Sequence, residues 1–241
     1  MNKSFLNQWL ITIPVMAAIF FSSCQKEIAD NSDINAQTVT TQERSQAVTR
    51  PFKMHSETWY RINPIIPMPL IDIPGQIAFA NVPGGGIGNA THMGKINVWF
   101  NQLAYSATGE NPPAGTISAP VVDALNYSIL FPGAPLPLIQ PSDFEALGVA
   151  NSWLQLPASV NGNIVNAVIY NDRGDAVFIA ATSSSETTFI SPTQINFSGQ
   201  GIIVGGRGNF ENATGEINFS GFFNPENANE ARYWIDGSIN Y

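Results

Sequence analysis

Thiol chemistry in this chain is confined to one position, because Cys24 is its only cysteine. A single thiol closes no internal disulfide, and no Cys/His cluster at metal-ligand spacing surrounds it. Imidazole chemistry is confined to His55 and His92. His55 alternates with Trp59 and reads as a surface residue of a strand. His92 lies in the segment Asn89–Gly94. It could act as a general acid or base, or as a polar group inside a barrel cavity. The plainer reading, which we favour, is a hydrogen-bonded residue tying that turn to a sheet. Asp175 follows Asn171-Asp172-Arg173-Gly174 and suits an acceptor of turn N–H groups. Trp59, Trp99, Trp153 and Trp234 could stack on sugars if exposed, and otherwise fill a core or plug a barrel end. Among all these, His92, Asp175, Trp99 and Trp234 are the candidates for contact with a ligand or a polar cavity. The acids are scattered and no serine stands in a strand-to-helix elbow. The residues therefore assign no catalytic group, no metal and no cofactor.

The segment Gly205 to Gly215 could be taken for a phosphate cradle. Such a loop needs a helix after it and usually a lysine. Here the strictly alternating stretch 216–222 follows instead. The expected structure is a tight turn built on Gly205, Gly206, Gly208 and Gly215, with Phe210 and Ala213 packed inward. We expect Gly215 at positive φ.

Cys24 closes a run that begins Met1-Asn2-Lys3, continues through apolar Trp9 to Phe21, and ends on Ser22 and Ser23. A positive start, a short apolar core and small residues before a cut make a secretion signal. With cysteine first in the mature chain, the segment resembles a bacterial lipoprotein signal, which implies acylation of Cys24 and a membrane anchor. A plain transmembrane span fits less well, since the apolar run is short, contains Pro14 and lacks a following basic cluster. Gln25-Lys26-Glu27 resembles the tag that sends lipoproteins of Bacteroidetes to the outer face of the outer membrane; the periplasmic face is the alternative. The expected organisation is a signal over 1–23, a lipidated cysteine and disordered tether over 24–50, and one folded domain over 51–241.

The whole chain carries a formal charge of −8. That sign disfavours nucleic acid and anionic lipid headgroups as partners. Charged residues make up only 12%, and Asn, Ser, Thr and Gln supply the polarity, as in many secreted β-proteins. Residues 52–60, 164–170, 175–181, 194–199, 201–205, 216–222 and 233–241 read as strands, 89–100 as a strand entered through a turn, and Asn171-Asp172-Arg173-Gly174 as a hairpin turn. Residues 63–75 read as an extended loop and Gly84-Gly85-Gly86 as a flexible turn. Residues 110–160 form a proline-rich insertion, with at most one short helix near 142–147. Strands at short, even spacing predict an all-β fold, a single antiparallel sandwich or barrel.

Three segments carry a family likeness. They are Gly88-Asn89-Ala90-Thr91-His92-Met93-Gly94-Lys95, Asn171-Asp172-Arg173-Gly174-Asp175, and Gly205-Gly206-Arg207-Gly208-Asn209-Phe210-Glu211-Asn212-Ala213-Thr214-Gly215. In this order they resemble a group of secreted bacterial β-proteins, and more distantly the allene oxide cyclase and dirigent-like barrels of the calycin group. Met93 and Arg207 depart from the usual leucine and threonine. The resemblance implies a calycin-like antiparallel barrel of about eight strands and no particular activity.

The first expected function is thus a surface lipoprotein whose barrel binds a small molecule, glycan or partner protein without catalysis. The alternatives are a cavity enzyme, an isomerase or cyclase acting on a hydrophobic substrate, and a structural envelope protein with no ligand. A deep apolar cavity with His92 or an acid inside it would favour the enzyme.

Overall fold

The computed structural model describes residues 48–124 and 156–241. Cys24, the signal, most of the tether, the helix expected near 142–147 and Trp153 lie outside the described residues.

The described chain is all-β. Its strands are β1 (Thr49–Tyr60), β2 (Asn63–Pro69), β3 (Ile77–Asn81), β4 (Gly84–Ala90), β5 (Gly94–Phe100), β6 (Gln102–Ser106) and β7 (Gly115–Ser118). After the insertion come β8 (Ser159–Val160), β9 (Asn163–Ile164), β10 (Ala167–Tyr170), β11 (Ala176–Ala181), β12 (Ser185–Ser191), β13 (Gln194–Arg207), β14 (Gly215–Asn224) and β15 (Asn227–Asn240). Eight of them close an antiparallel ring in the order β1, β4, β5, β10, β11, β13, β14, β15. The last pairing, β15 with β1, joins Asn240 to Thr49 and Ala231 to Thr58. The C-terminal strand is therefore covered on both edges, which removes an aggregation-prone terminus.

Seven strands lie outside that ring; β8 and β9 pair only with each other, and the registers of the other five show what they do. Asn63↔Asn81 continues the Tyr60↔Gly84 pairing, so β2 and β3 extend β1 and β4. Asn81↔Leu103 likewise continues Gly84↔Phe100, so β6 extends β5. β12 stays on β13 beyond β11, and β7 sits between β6 and β12 as β10 sits between β5 and β11. The wall thus has eight columns of unusual height, each antiparallel to its neighbours in chain order.

Alternation decides which residues face inward. In β1, Phe52, Met54, Ser56 and Thr58 are buried while Lys53, His55 and Glu57 are exposed, the two-residue period of a pleated strand. Seen along its axis, the barrel divides into two halves. In one half, aliphatic residues from all eight columns meet. Val98, Ile169, Ile179, Ile203, Ile217, Ile235 and Ile239 are all at most 3% exposed there. Phe210 and Ala213, from the turn after β13, close that end, with Tyr241 against Phe210 at 4.7 Å between ring centroids.

A second apolar cluster lies on the outside of β5, β10, β11 and β13. It joins Trp99, Val168, Phe178 and Val204 to Val121, Ala124, Leu156, Val160 and Val165 from the two ends of the insertion. The insertion is anchored there by Val121 N–H donating to Val165 O at 2.9 Å. Burying outward-facing apolar residues under these segments explains why β10 and β11 read as nearly continuous hydrophobic runs rather than alternating ones.

Several sequence expectations change. Residues 63–69 form a strand, not a loop; prolines 64, 67 and 69 are accommodated because β2 pairs only sparsely, with a register shift between Pro64 and Met68. Gly84-Gly85-Gly86 is part of β4 rather than a flexible turn, because Trp59 and Phe100 crowd this stretch and leave no space for side chains. The first strand begins at Thr49, three residues ahead of the expected start at Phe52. Gly215 does not lie at positive φ, whereas Gly205 (φ 142°) and Gly208 (φ 62°) do. Gly215 is required for a different reason: a Cβ there would run into the backbone of Ser238.

Candidate functional site

The other half of the barrel is hollow. Its cavity, of about 460 Å³, is walled by residues from every column, with Phe100, Phe197 and Tyr233 resting on the packed half as its floor. The size suits a single small molecule.

Three glycines explain the space. A Cβ at Gly84, Gly199 or Gly221 would collide with ring carbons of Phe100, Phe219 or Phe197 respectively. Each ring therefore lies over a gap left by the glycine on the neighbouring strand, flat against the wall instead of across the axis. Phe197 and Tyr233 stack across Gly221 at 5.9 Å with planes 26° apart. Small residues complete the effect: Ala104, Ala181, Ala231, Ser183 and Ser185 face the same space.

The opposite stretch of wall is polar but uncharged. Thr116 Oγ1 donates to Gln102 Oε1 at 2.8 Å and lies 2.6 Å from Ser185 Oγ. Asn166 Oδ1 accepts the Ala181 N–H at 2.9 Å. These residues meet where the fourth column passes from β10 to β7 and loses ladder bonds. Fully buried Asn101 restores them: its N–H donates to Asn166 O, its O accepts from Ala119 N–H, its Nδ2 donates to Pro120 O and its Oδ1 accepts the Gln102 N–H. A buried amide with four satisfied contacts fixes the break rigidly.

No described residue lining the cavity is an acid, a base or a histidine. Its titratable groups are two phenols. Tyr60 Oη donates to Asn224 O at 2.7 Å, and burial raises its pKa. Burial raises the Tyr233 phenol further above its ordinary value. Both stay protonated at neutral pH, since desolvation penalises the phenolate.

None of the four side chains singled out from sequence lines this cavity. His92 sits on the exposed turn between β4 and β5 at φ 67°, with Nε2 3.0 Å from Pro51 O. That oxygen only accepts, so Nε2 carries the proton, and the contact pins the turn to β1. Histidine is one of the residues that tolerate this left-handed conformation. Asp175 is 5% exposed and links two turns. Its carboxylate accepts from Asn171 Nδ2 and from the Asn209 N–H, each at 3.1 Å, with Arg173 Nε at 3.5 Å. Those two hydrogen bonds and then the guanidinium hold its pKa below the usual carboxylate range, against the opposing effect of burial. Trp99 is 1% exposed in the outer cluster, edge-on to Trp59 at 5.3 Å. Trp234 is 39% exposed on the outer face, tilted against Phe222 and paired across strands with His55 and Ser220. Gly206 approaches Ala176 O too closely for a side chain.

Among the described residues, no group of three or more His, Cys, Asp or Glu is placed to hold a metal ion, and no helix is long and apolar enough to cross a membrane. Compared with protein-family models, curated proteins and solved structures, the chain has no match.

Proposed function

We propose that this protein is a lipid-anchored lipoprotein of the outer membrane, displayed at the cell surface through Cys24, whose barrel lumen binds a neutral small molecule without catalysis. One observation carries the binding reading: half of a continuous eight-column barrel is packed solid, and the other half is held open by glycine–aromatic pairs around an uncharged lining. A mostly apolar hollow is a costly feature to maintain, because its lining forgoes dispersion contacts. A ligand that fills it recovers them.

Binding is preferred to the isomerase or cyclase reading on chemical grounds. The described lining offers neither carboxylate nor imidazole for proton transfer, and its phenols are too weakly acidic to act as bases at neutral pH. His92, the group that would have favoured an enzyme, stands outside the lumen.

A thermal-shift screen of neutral, cationic and anionic small molecules tests the reading. Neutral apolar compounds are expected to raise the melting temperature, by about 2.7 kcal/mol of added stability at a hundred times Kd. The Ala181→Trp protein, whose indole occupies the lumen floor, is expected to show no such shift. Equal shifts in both proteins would contradict binding in the lumen.

A further inference from the structure

The polar wall has a direction that proton counting reveals. The Thr116 hydroxyl has one proton, and it goes to Gln102 Oε1. The 2.6 Å contact between Thr116 Oγ1 and Ser185 Oγ must then be donated by Ser185. The chain runs Ser185 to Thr116 to Gln102 and ends at the Gln102 carboxamide nitrogen. That nitrogen has two N–H groups and no partner among the described residues, on a side chain that lines the lumen. Three columns round the wall, the Tyr233 hydroxyl also lacks a partner among the described residues, and Tyr233 lines the same space. Its ring is fixed by Phe197, Phe219 and Phe100 at centroid distances of 5.9, 6.0 and 6.3 Å. These two donors thus open on a space shared with aromatic rings, small aliphatic side chains and the uncharged groups of Thr58, Asn166 and Ser183.

Donors left unpaired in a sheltered site carry a penalty that an acceptor removes. A carboxylate would supply acceptors, but its charge would enter a lining whose described residues include no cation, and desolvation would oppose entry. A hydrocarbon would fill the space and leave both donors unmet.

We infer that the lumen selects a neutral molecule with a flat apolar face and an acceptor oxygen, a ketone, ester or ether, held by the Gln102 amide and the Tyr233 hydroxyl. The inference rests on the lumen being the binding site, and its test separates the two.

Three probes of one shape serve: 2-acetylnaphthalene, 2-ethylnaphthalene and 2-naphthoate, titrated into the full-length protein by calorimetry. The ketone is expected to bind roughly ten-fold tighter than the hydrocarbon, as two net hydrogen bonds allow, and the carboxylate weakest. Tyr233→Phe removes one oxygen and no packing, and Gln102→Leu removes the amide; each is expected to lower the ketone-to-hydrocarbon ratio about three-fold, and a melting curve checks that each variant folds. A wild-type ratio near one, a ratio unchanged in both variants, or tightest binding by 2-naphthoate would overturn the inference while leaving lumen binding in place. Failure of all three probes to bind would overturn the lumen reading itself.

Discussion

The two halves of this barrel share their columns and differ in what the columns carry. In the packed half, branched aliphatic side chains project to the axis and meet there, and Phe210 with Tyr241 seals the end. In the hollow half, the large residues are rings laid sideways over Gly84, Gly199 and Gly221, with alanine, serine and threonine between them. The same eight columns run through both halves, although in the hollow half β2 has no ladder to β15. What decides between a core and a lumen here is whether each ring has a glycine beside it to lie on. Stability is thereby concentrated at one end and binding capacity at the other, as expected when a rigid scaffold presents a site it need not fill itself.

The contrast can be broken in order of size. Phe210→Ala removes the buried ring that closes the packed half and is expected to cost about 3–5 kcal/mol in urea unfolding. Phe223→Ala in the hollow half should cost well under half as much, because that ring already borders open space. Equal losses would mean that the halves are equally packed. Gly215→Val drives a side chain into the Ser238 backbone and is expected to lose about 2–3 kcal/mol, read as a lowered denaturation midpoint. Gly199→Ala pushes the Phe219 ring off its gap, with an expected loss of about 1–2 kcal/mol together with weaker binding of neutral probes. Loss of stability with unchanged binding would show that the ring does not move into the lumen.

Acid sharpens the same comparison, since Asp175 serves only the packed end. Its pKa is lower folded than unfolded, so its contribution is present above the unfolded value of about 4 and is lost as pH falls through the folded one. Asp175→Asn is expected to lower stability at pH 7 and to flatten the decline below about pH 4. An unchanged acid limb in the variant would remove Asp175 from the account. His92→Gln is the smallest change. It keeps a donor for Pro51 O but places glutamine at positive φ, and about 1 kcal/mol or less of stability is expected to go, with probe affinity unchanged.

The barrel was legible where strands alternate or turns are punctuated. Residues 216–222 and 233–241 show the two-residue period plainly, and the Asn171–Gly174 turn with Asp175 announces its hairpin. Asn161-Gly162, both at positive φ between β8 and β9, carries a clear hairpin signal, but it directly follows the proline-rich stretch 110–160, which hides it. β2 and the start of β4 look like loop and turn in the sequence because proline and glycine act as breakers. Their tolerance comes from the strands they pair with, Ala78 standing opposite Met68 and Phe100 opposite Gly84. The site was not legible. Gln102, Thr116, Ser185 and Tyr233 are ordinary residues in ordinary strands, and only closure of the barrel sets them round one space. The sequence drew attention to rare residue types, His92, Trp99 and Trp234, which serve a turn, an outer cluster and an outer face instead.

Direct titration of a neutral apolar fluorophore, N-phenyl-1-naphthylamine, tests the hollow half most simply. The account predicts saturable one-to-one binding to the wild-type protein and a loss of at least about ten-fold in affinity, some 1.4 kcal/mol, in Ala181→Trp. Binding that fails to saturate, or that is the same with the lumen filled, would contradict it.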